Sequence, residues 1–227
     1  MPIYLSLSER KIGMANKATS STSTLVLLDR DGVVCGNPAG GVRTYGEFKM
    51  VPGLQVAFRR LAKGNLWVGI ITNQPGISRG IVSKSDLAKM NHDLVKTATA
   101  AGIGQGRFVI KVCPHIKEDG CWCRKPRVGL ILKVMRQFKR DPATTRLYLV
   151  GDKLTDIQTL DNYYLQELKP LGVPRSRVKT ILLDWKFADP SKERRLMTEG
   201  GAKVLPNFKM KSLESAVTTI MKLEKGR

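Results

Sequence analysis

The chain is short of acidic residues. Only 19 Asp and Glu stand against 39 Lys and Arg, a formal net charge of +20 over 227 residues. Such a balance says nothing about fold, but it favours phosphate-rich partners such as RNA, a ribonucleoprotein or an anionic membrane face. The bland alternative is solvated surface charge, and the basic residues are indeed spread along the chain. Cysteine and histidine are scarce, with four and two copies. Four cysteines do not make the disulfide framework of a small secreted protein. Three of them, Cys113, Cys121 and Cys123, cluster, which points to metal in a reducing compartment. No apolar run approaches the roughly 20 residues of a membrane-spanning helix. Residues 1–24 also lack the long apolar stretch of a secretory signal. With Arg10, Lys11, Lys17 and a Ser/Thr-rich end, they match a mitochondrial transit peptide weakly and a flexible extension about as well. The expectation is an N-terminal extension over 1–24 and one domain over 25–227. The expected compartment is the cytoplasm, with the mitochondrial matrix as the alternative.

What is present is an alternation of apolar runs and helical patterns. Leu25–Leu28, Leu66–Ile71, Arg107–Val112, Arg146–Val150 and Val178–Leu183 read as buried strands, with a short sixth at Ala202–Leu205. Between them, Leu54, Ala57, Phe58 and Leu61 keep helical spacing. So do Leu87, Met90, Leu94 and Ala98, behind a Ser83/Asp86 capping pair, and Ile131, Val134, Met135 and Phe138. A further helix runs from Asp156 towards Leu168, and a last one covers Ser212–Leu223. Strands alternating with helices argue for a parallel sheet covered on both faces, with ligands at the carboxyl ends of the strands. No internal repeat is visible.

Each unusual polar cluster falls just after a strand. Asp29 and Asp31 follow the first. Side chains two apart in an extended chain point to the same side, so both would enter one pocket. Two close carboxylates repel unless a cation lies between them or one takes a proton. An Asp-Gly turn is the plain alternative for these residues alone. Thr72 and Asn73 follow the second strand, the segment Cys113–Lys125 the third, and Asp152 and Asp156 the fourth. Cys113, His115, Cys121 and Cys123 supply three thiolates and an imidazole, the set of a closed tetrahedral zinc site, with free or disulfide-bonded thiols as the alternative. Cys35 lies outside that set and reads as a free loop thiol. His92 reads as an exposed helix residue with no role.

In order, Asp29-Arg30-Asp31-Gly32, Thr72-Asn73-Gln74, Lys125 and Gly151-Asp152-Lys153-x-x-Asp156 resemble the four motifs of the haloacid dehalogenase superfamily of phosphatases. The run Thr72–Gly80 looks like the second motif of the heptose-bisphosphate phosphatases. The Cys113-Pro114-His115…Cys121-x-Cys123-Arg124-Lys125-Pro126 loop looks like the one shared with histidinol-phosphate phosphatases. The resemblance implies an α/β fold: a Rossmann-like, three-layer arrangement with a central parallel sheet, no large cap domain and a zinc-binding loop. It implies Asp29 as nucleophile, forming an aspartyl-phosphate, and Asp31 as acid and base. Thr72 and Lys125 would bind the phosphoryl group. Mg2+ would be held by Asp29, the backbone carbonyl of Asp31 and Asp152, with Asp156 in support, and Zn2+ would be structural. Asn73, Arg79, Arg124 and Lys153, with Arg43, are candidates to grip substrate, and solvated surface charge is the alternative for the arginines.

The expected function is Mg2+-dependent hydrolysis of a small phosphorylated metabolite, a sugar bisphosphate or a histidinol-phosphate-like compound. Two alternatives answer to the charge of +20. One is a subunit or assembly factor of a ribonucleoprotein such as a mitochondrial ribosome. The other is a polynucleotide 3′-phosphatase, against which the Cys/His loop counts.

Overall fold

In the computed structural model, residues 23–183 and 205–226 are described. Six strands form one sheet: β1 (Ser23–Leu28), β2 (Trp67–Asn73), β3 (Phe108–Cys113), β4 (Thr145–Gly151), β5 (Val178–Leu183) and β6 (Phe208–Met210). Their order is β3-β2-β1-β4-β5-β6, and every neighbouring pair is parallel. The helices are α1 (Leu54–Lys63), the single turn α2 (Pro75–Ser78), α3 (Lys84–Ala100), α4 (Gly129–Gln137), α5 (Leu154–Tyr163) and α6 (Leu213–Lys225).

The two-residue period of the strands divides the core. Val26 and Leu28 of β1 point to the face covered by α1, α3 and α6, beside Phe58, Leu94 and Val217. Leu25 and Leu27 point to the face covered by α4 and α5, beside Ile131, Val134 and Leu160. All these side chains are buried. A strand apolar on both faces is what a doubly covered parallel sheet requires, and it places β1 at the centre with its carboxyl end between those of β2 and β4.

Several element ends differ from the sequence expectation. β2 runs on through Asn73, since Thr72 and Asn73 still pair with Val112 and Cys113 of β3. α4 stops at Gln137, and Lys139 takes a left-handed φ of 52° just beyond it. The helix expected to reach Leu168 is α-helical only to Tyr163 and continues as a π turn over Tyr164–Leu168. The last strand lies at Phe208–Met210. Of the expected Ala202–Leu205, residues 202–204 fall outside the described residues and Leu205 is not in a strand. The N-terminal extension also falls outside them, apart from Ser23 and Thr24, which open β1. Cys35 is a free thiol, as expected, but a fully buried one. Its Sγ donates to the Asp31 carboxylate at 3.3 Å, and burial, with Asp31 next, pushes the thiol up and keeps it protonated.

Far from the strands' carboxyl ends, Glu224 of α6 ties the helix to the sheet. It accepts from Thr24 Oγ1 at 2.6 Å, Tyr148 OH at 2.7 Å and Arg146 at 3.1 Å. Burial raises its carboxyl, but the hydrogen bonds from Thr24 and Tyr148 and the Arg146 charge outweigh it and hold the group below its usual value. Its contribution to stability is therefore complete above the ordinary glutamate range and is lost as pH falls through the lowered folded value. Glu224→Ala should lower unfolding free energy by about 1–3 kcal/mol at neutral pH, read as a lower urea midpoint. An unchanged midpoint would contradict this account.

Candidate active site

The site begins where β1 stops. Asp29 N still donates to Val150 O at 2.9 Å, so the ladder with β4 extends one residue and fixes the Asp29 backbone. Its Oδ1 accepts from Arg30 N at 2.7 Å and meets Lys125 Nζ at 2.7 Å. The same ammonium contacts Asp156 Oδ1 at 2.6 Å and donates to Ile71 O at 3.1 Å. Asp29, Lys125 and Asp156 are all buried. Burial alone would lower the lysine, but Asp156 first and Asp29 next hold it above the ordinary lysine value, so it stays charged. Burial, with the neighbouring Asp29, pushes Asp156 up to about 7 despite that ammonium.

Asp152 completes the cluster. Its carboxylate, with those of Asp29 and Asp156, offers oxygens that lie within 4.8 Å of one another. Oδ1 of Asp152 is buried with no hydrogen-bond partner, and burial pushes this carboxyl up. A Cβ on Gly32 would collide with the Asp152 carboxylate, so glycine, at φ 86°, is what lets the loop after β1 approach β4. Three carboxylates and one ammonium leave a net charge of −2 when all are ionised. An orphaned buried oxygen inside such a cluster fits a divalent, oxygen-liking cation. Asp156 is the most committed of the three: Oδ1 serves Lys125 and Oδ2 accepts from Lys153 N at 3.2 Å, capping α5.

Lys125 is held from β2. Asn73 Oδ1 accepts from Lys125 N at 3.0 Å and its Nδ2 donates to Lys125 O at 3.1 Å. Asn73, expected at the substrate, thus has both ends of its amide on the Lys125 backbone. Thr72 is buried beside Gln74, whose Nε2 donates to Thr72 Oγ1 at 2.9 Å and to Asp31 Oδ2 at 2.7 Å. Asp31 also takes the fully buried Arg30 fork, at 2.8 and 3.1 Å. Neither Gln74 nor Arg30 was assigned a role from sequence. The usable signals were the i, i+2 spacing of Thr72 and Gln74, and an arginine set between two aspartates at the end of an apolar strand.

The loop after β3 brings Cys113, His115, Cys121 and Cys123 together. Cys113 Sγ lies 3.6 Å from Cys121 Sγ and 3.6 Å from His115 Nδ1. Cys123 Sγ lies 3.7 Å from Cys121 Sγ and 3.4 Å from His115 Nδ1. A zinc tetrahedron with Zn–S near 2.3 Å has S–S edges of about 3.7–3.8 Å and S–N edges slightly shorter. The cluster is compatible with Zn2+ on those edges. Burial pushes the Cys113 thiol up to about 12, and a bound cation is what would make thiolates stable there. Gly129 at the start of α4 seats Trp122 where a Cβ would collide with the ring, which docks this loop on the domain. Arg124 donates to His115 O at 3.0 Å, within the loop. Arg43, Arg79 and Lys153 are exposed.

No protein-family model matches the chain. It is 37% identical over 134 residues to the D-glycero-beta-D-manno-heptose-1,7-bisphosphate 7-phosphatase of Bordetella bronchiseptica, covering 59% of this chain and 73% of that one. It is 33% identical over 138 residues to the D-glycero-alpha-D-manno-heptose-1,7-bisphosphate 7-phosphatase of Mycobacterium bovis, covering 60% and 71%. The chain belongs to the haloacid dehalogenase superfamily of phosphatases. Within that superfamily its fold matches the D,D-heptose 1,7-bisphosphate phosphatase of B. bronchiseptica, solved with magnesium and phosphate. The TM-score is 0.66 at 24% identity, over 88% of this chain and 99% of that one. The corresponding Burkholderia thailandensis structure gives 0.51 at 23%, over 88% and 99%.

In this phosphatase the Asn73 clamp sets where the Lys125 ammonium sits. Asn73→Ala removes both amide contacts and should lower stability by roughly 1–3 kcal/mol, with amide exchange at Lys125 accelerated. Unaltered exchange at that residue would show that the clamp does not hold the loop.

Proposed function

We propose that the chain is a Mg2+-dependent phosphomonoester hydrolase that works through an aspartyl-phosphate on Asp29, and that its substrate is a sugar bisphosphate of the heptose type. The observation that supports it most is Lys125 bound between Asp29 and Asp156, with the orphaned oxygen of Asp152 beside them. The heptose-bisphosphate names of its relatives favour the sugar bisphosphate over histidinol phosphate.

The roles follow from which atoms are engaged. Oδ1 of Asp29 takes two donors, Arg30 N and Lys125 Nζ, which fix the carboxylate and leave Oδ2 as the attacking or cation-binding oxygen. Mg2+ at Asp29, Asp152 and the Asp31 carbonyl would neutralise charge on the phosphoryl oxygens. Lys125 neutralises the same charge from the protein side, and Thr72 Oγ1 is the hydroxyl positioned to hydrogen-bond it. Asp31 protonates the leaving oxygen and then activates water. Its carboxylate is turned onto Arg30 and Gln74, so reaching the leaving oxygen competes with the Arg30 fork. Asp156 anchors Lys125. Between Asp29 and β2 the chain holds only a loop, a 3-10 turn and α1, which leaves no room there for a covering domain. Arg43, Arg79, Arg124 and Lys153 are the candidates for a second phosphate or the sugar.

Phosphate release with Mg2+ should be tested on heptose and hexose bisphosphates, histidinol phosphate and a 3′-phosphorylated oligonucleotide. The expected result is preferred turnover of a sugar bisphosphate, lost with EDTA and reduced at least about a thousandfold in Asp29→Asn. Absence of release from every ester by a folded, Mg2+-loaded chain would favour the scaffold role. Preference for the oligonucleotide would favour the polynucleotide phosphatase.

We further propose that the Cys/His cluster holds one structural Zn2+. Metal analysis should find one zinc per chain. Cys121→Ser should lose zinc and lower both thermal stability and turnover, because the loop carries Lys125. Full turnover without zinc would remove the clip from the account.

A further inference from the structure

The fold assembles a cationic face that no catalytic group touches. It is built from β3, at the sheet edge, and the outer stripe of α4. Along α4, Lys133, Arg136 and Gln137 follow helical spacing while Ile131, Val134 and Met135 are buried on the other side, and Arg140 lies just beyond the helix end. Lys111 of β3 donates to Gln137 Oε1 at 3.1 Å, which joins strand and helix into one surface. At its lower end, Arg140 and Arg107 both lie over the Trp67 ring, at 4.5 and 5.5 Å, and Trp67 packs on Phe138 at 4.8 Å. At the upper end Lys133 lies over Trp122 at 5.0 Å. No Asp or Glu occurs in residues 94–117 or 120–140.

We propose that this face binds single-stranded nucleic acid through its phosphates. Guanidinium groups held over an indole lose less freedom when they fork onto phosphate oxygens. A row of cations from segments that themselves carry no acid matches a polyanion better than a compact metabolite. A lipid surface would call for apolar side chains to insert. The exposed large apolar residues among the described ones, Tyr45, Ile81, Val95, Leu165, Leu171 and Leu205, all lie on other elements. Trp67 opens β2 and Arg107 precedes β3, so the row reaches the end of the sheet opposite Asp29.

The test is binding of a labelled oligouridine of about 20 nucleotides to the whole chain across a salt series. Replacing Arg107, Lys111, Arg136 and Arg140 by Gln should weaken binding at least tenfold. It should also flatten the slope of log K against log salt by about 3, near 0.7 per lost phosphate contact. The same change at Lys63, Lys84, Lys96 and Lys222, on α1, α3 and α6, should leave affinity within about threefold. Phosphate release should persist in both variants. Equal weakening by the two sets would reduce the effect to overall charge and overturn the proposal. So would binding to anionic vesicles with none to the oligonucleotide. Hydrogen exchange of the unaltered chain gives an independent reading. Protection by the oligonucleotide is expected over 108–113 and 129–140, and protection only elsewhere would overturn the assignment.

Discussion

The buried ammonium of Lys125 holds this structure's chemistry together. Four segments meet on one nitrogen: Asp29 after β1, Ile71 O within β2, the loop that follows β3, and Asp156 of α5. An unpaired ion at this depth costs several kcal/mol, so the segments are stable near one another only with the lysine among them. Its single charge does not balance Asp29, Asp152 and Asp156. The negative charge that remains when all three are ionised, gathered on oxygens within 4.8 Å, is what makes this ion pair a candidate cation site.

The rest of the fold serves to place that nitrogen. β2 supplies the Asn73 amide that clamps the Lys125 backbone. The Cys/His cluster closes the preceding loop, and Trp122 seats it against Gly129. α5 delivers Asp156 from its first turn, with the Lys153 backbone as the second partner of that carboxylate. A parallel sheet makes the convergence possible, because it brings the carboxyl ends of β1, β2, β3 and β4 to one edge. On the other side of Asp29, Arg30, Gln74 and Cys35 hold Asp31 by its carboxylate. Arg30 links the two aspartates, its backbone N–H on Asp29 and its guanidinium on Asp31.

Much of this was legible in the sequence, for identifiable reasons. Leu25–Leu28 is apolar at every position, so a doubly covered strand and aspartates at its end could be read directly. Thr72, Lys125 and Asp152 were legible because each follows such a strand or a distinctive cysteine loop. The partners that hold these groups were not. Gln74 and Arg30 act through contacts with Asp31 whose chain path is local but whose side-chain direction depends on how the strand ends. The burial of Cys35 depends on bridges from Asp31 to Cys35 and from Cys35 to Met50 that close the loop after β1, and a glycine-rich stretch gives no hint of them. The limits of α4 and the π turn after Tyr163 reflect tertiary packing that overrides helical periodicity. The basic face is a further case: Arg107 and Lys111 are far from Arg136 and Arg140 in sequence, and the two pairs become one surface only when α4 packs across β3.

In the proposed mechanism a carboxylate oxygen of Asp29, held by Lys125, attacks phosphorus. The most direct measurement is acid quench of the Mg2+-loaded chain during turnover of a sugar bisphosphate, followed by peptide mass spectrometry. The account predicts one added phosphoryl group, on the peptide containing Asp29, labile to hydroxylamine and missing in Asp29→Asn. A phosphoryl group on another residue, or turnover with no covalent intermediate under conditions that trap one, would contradict it.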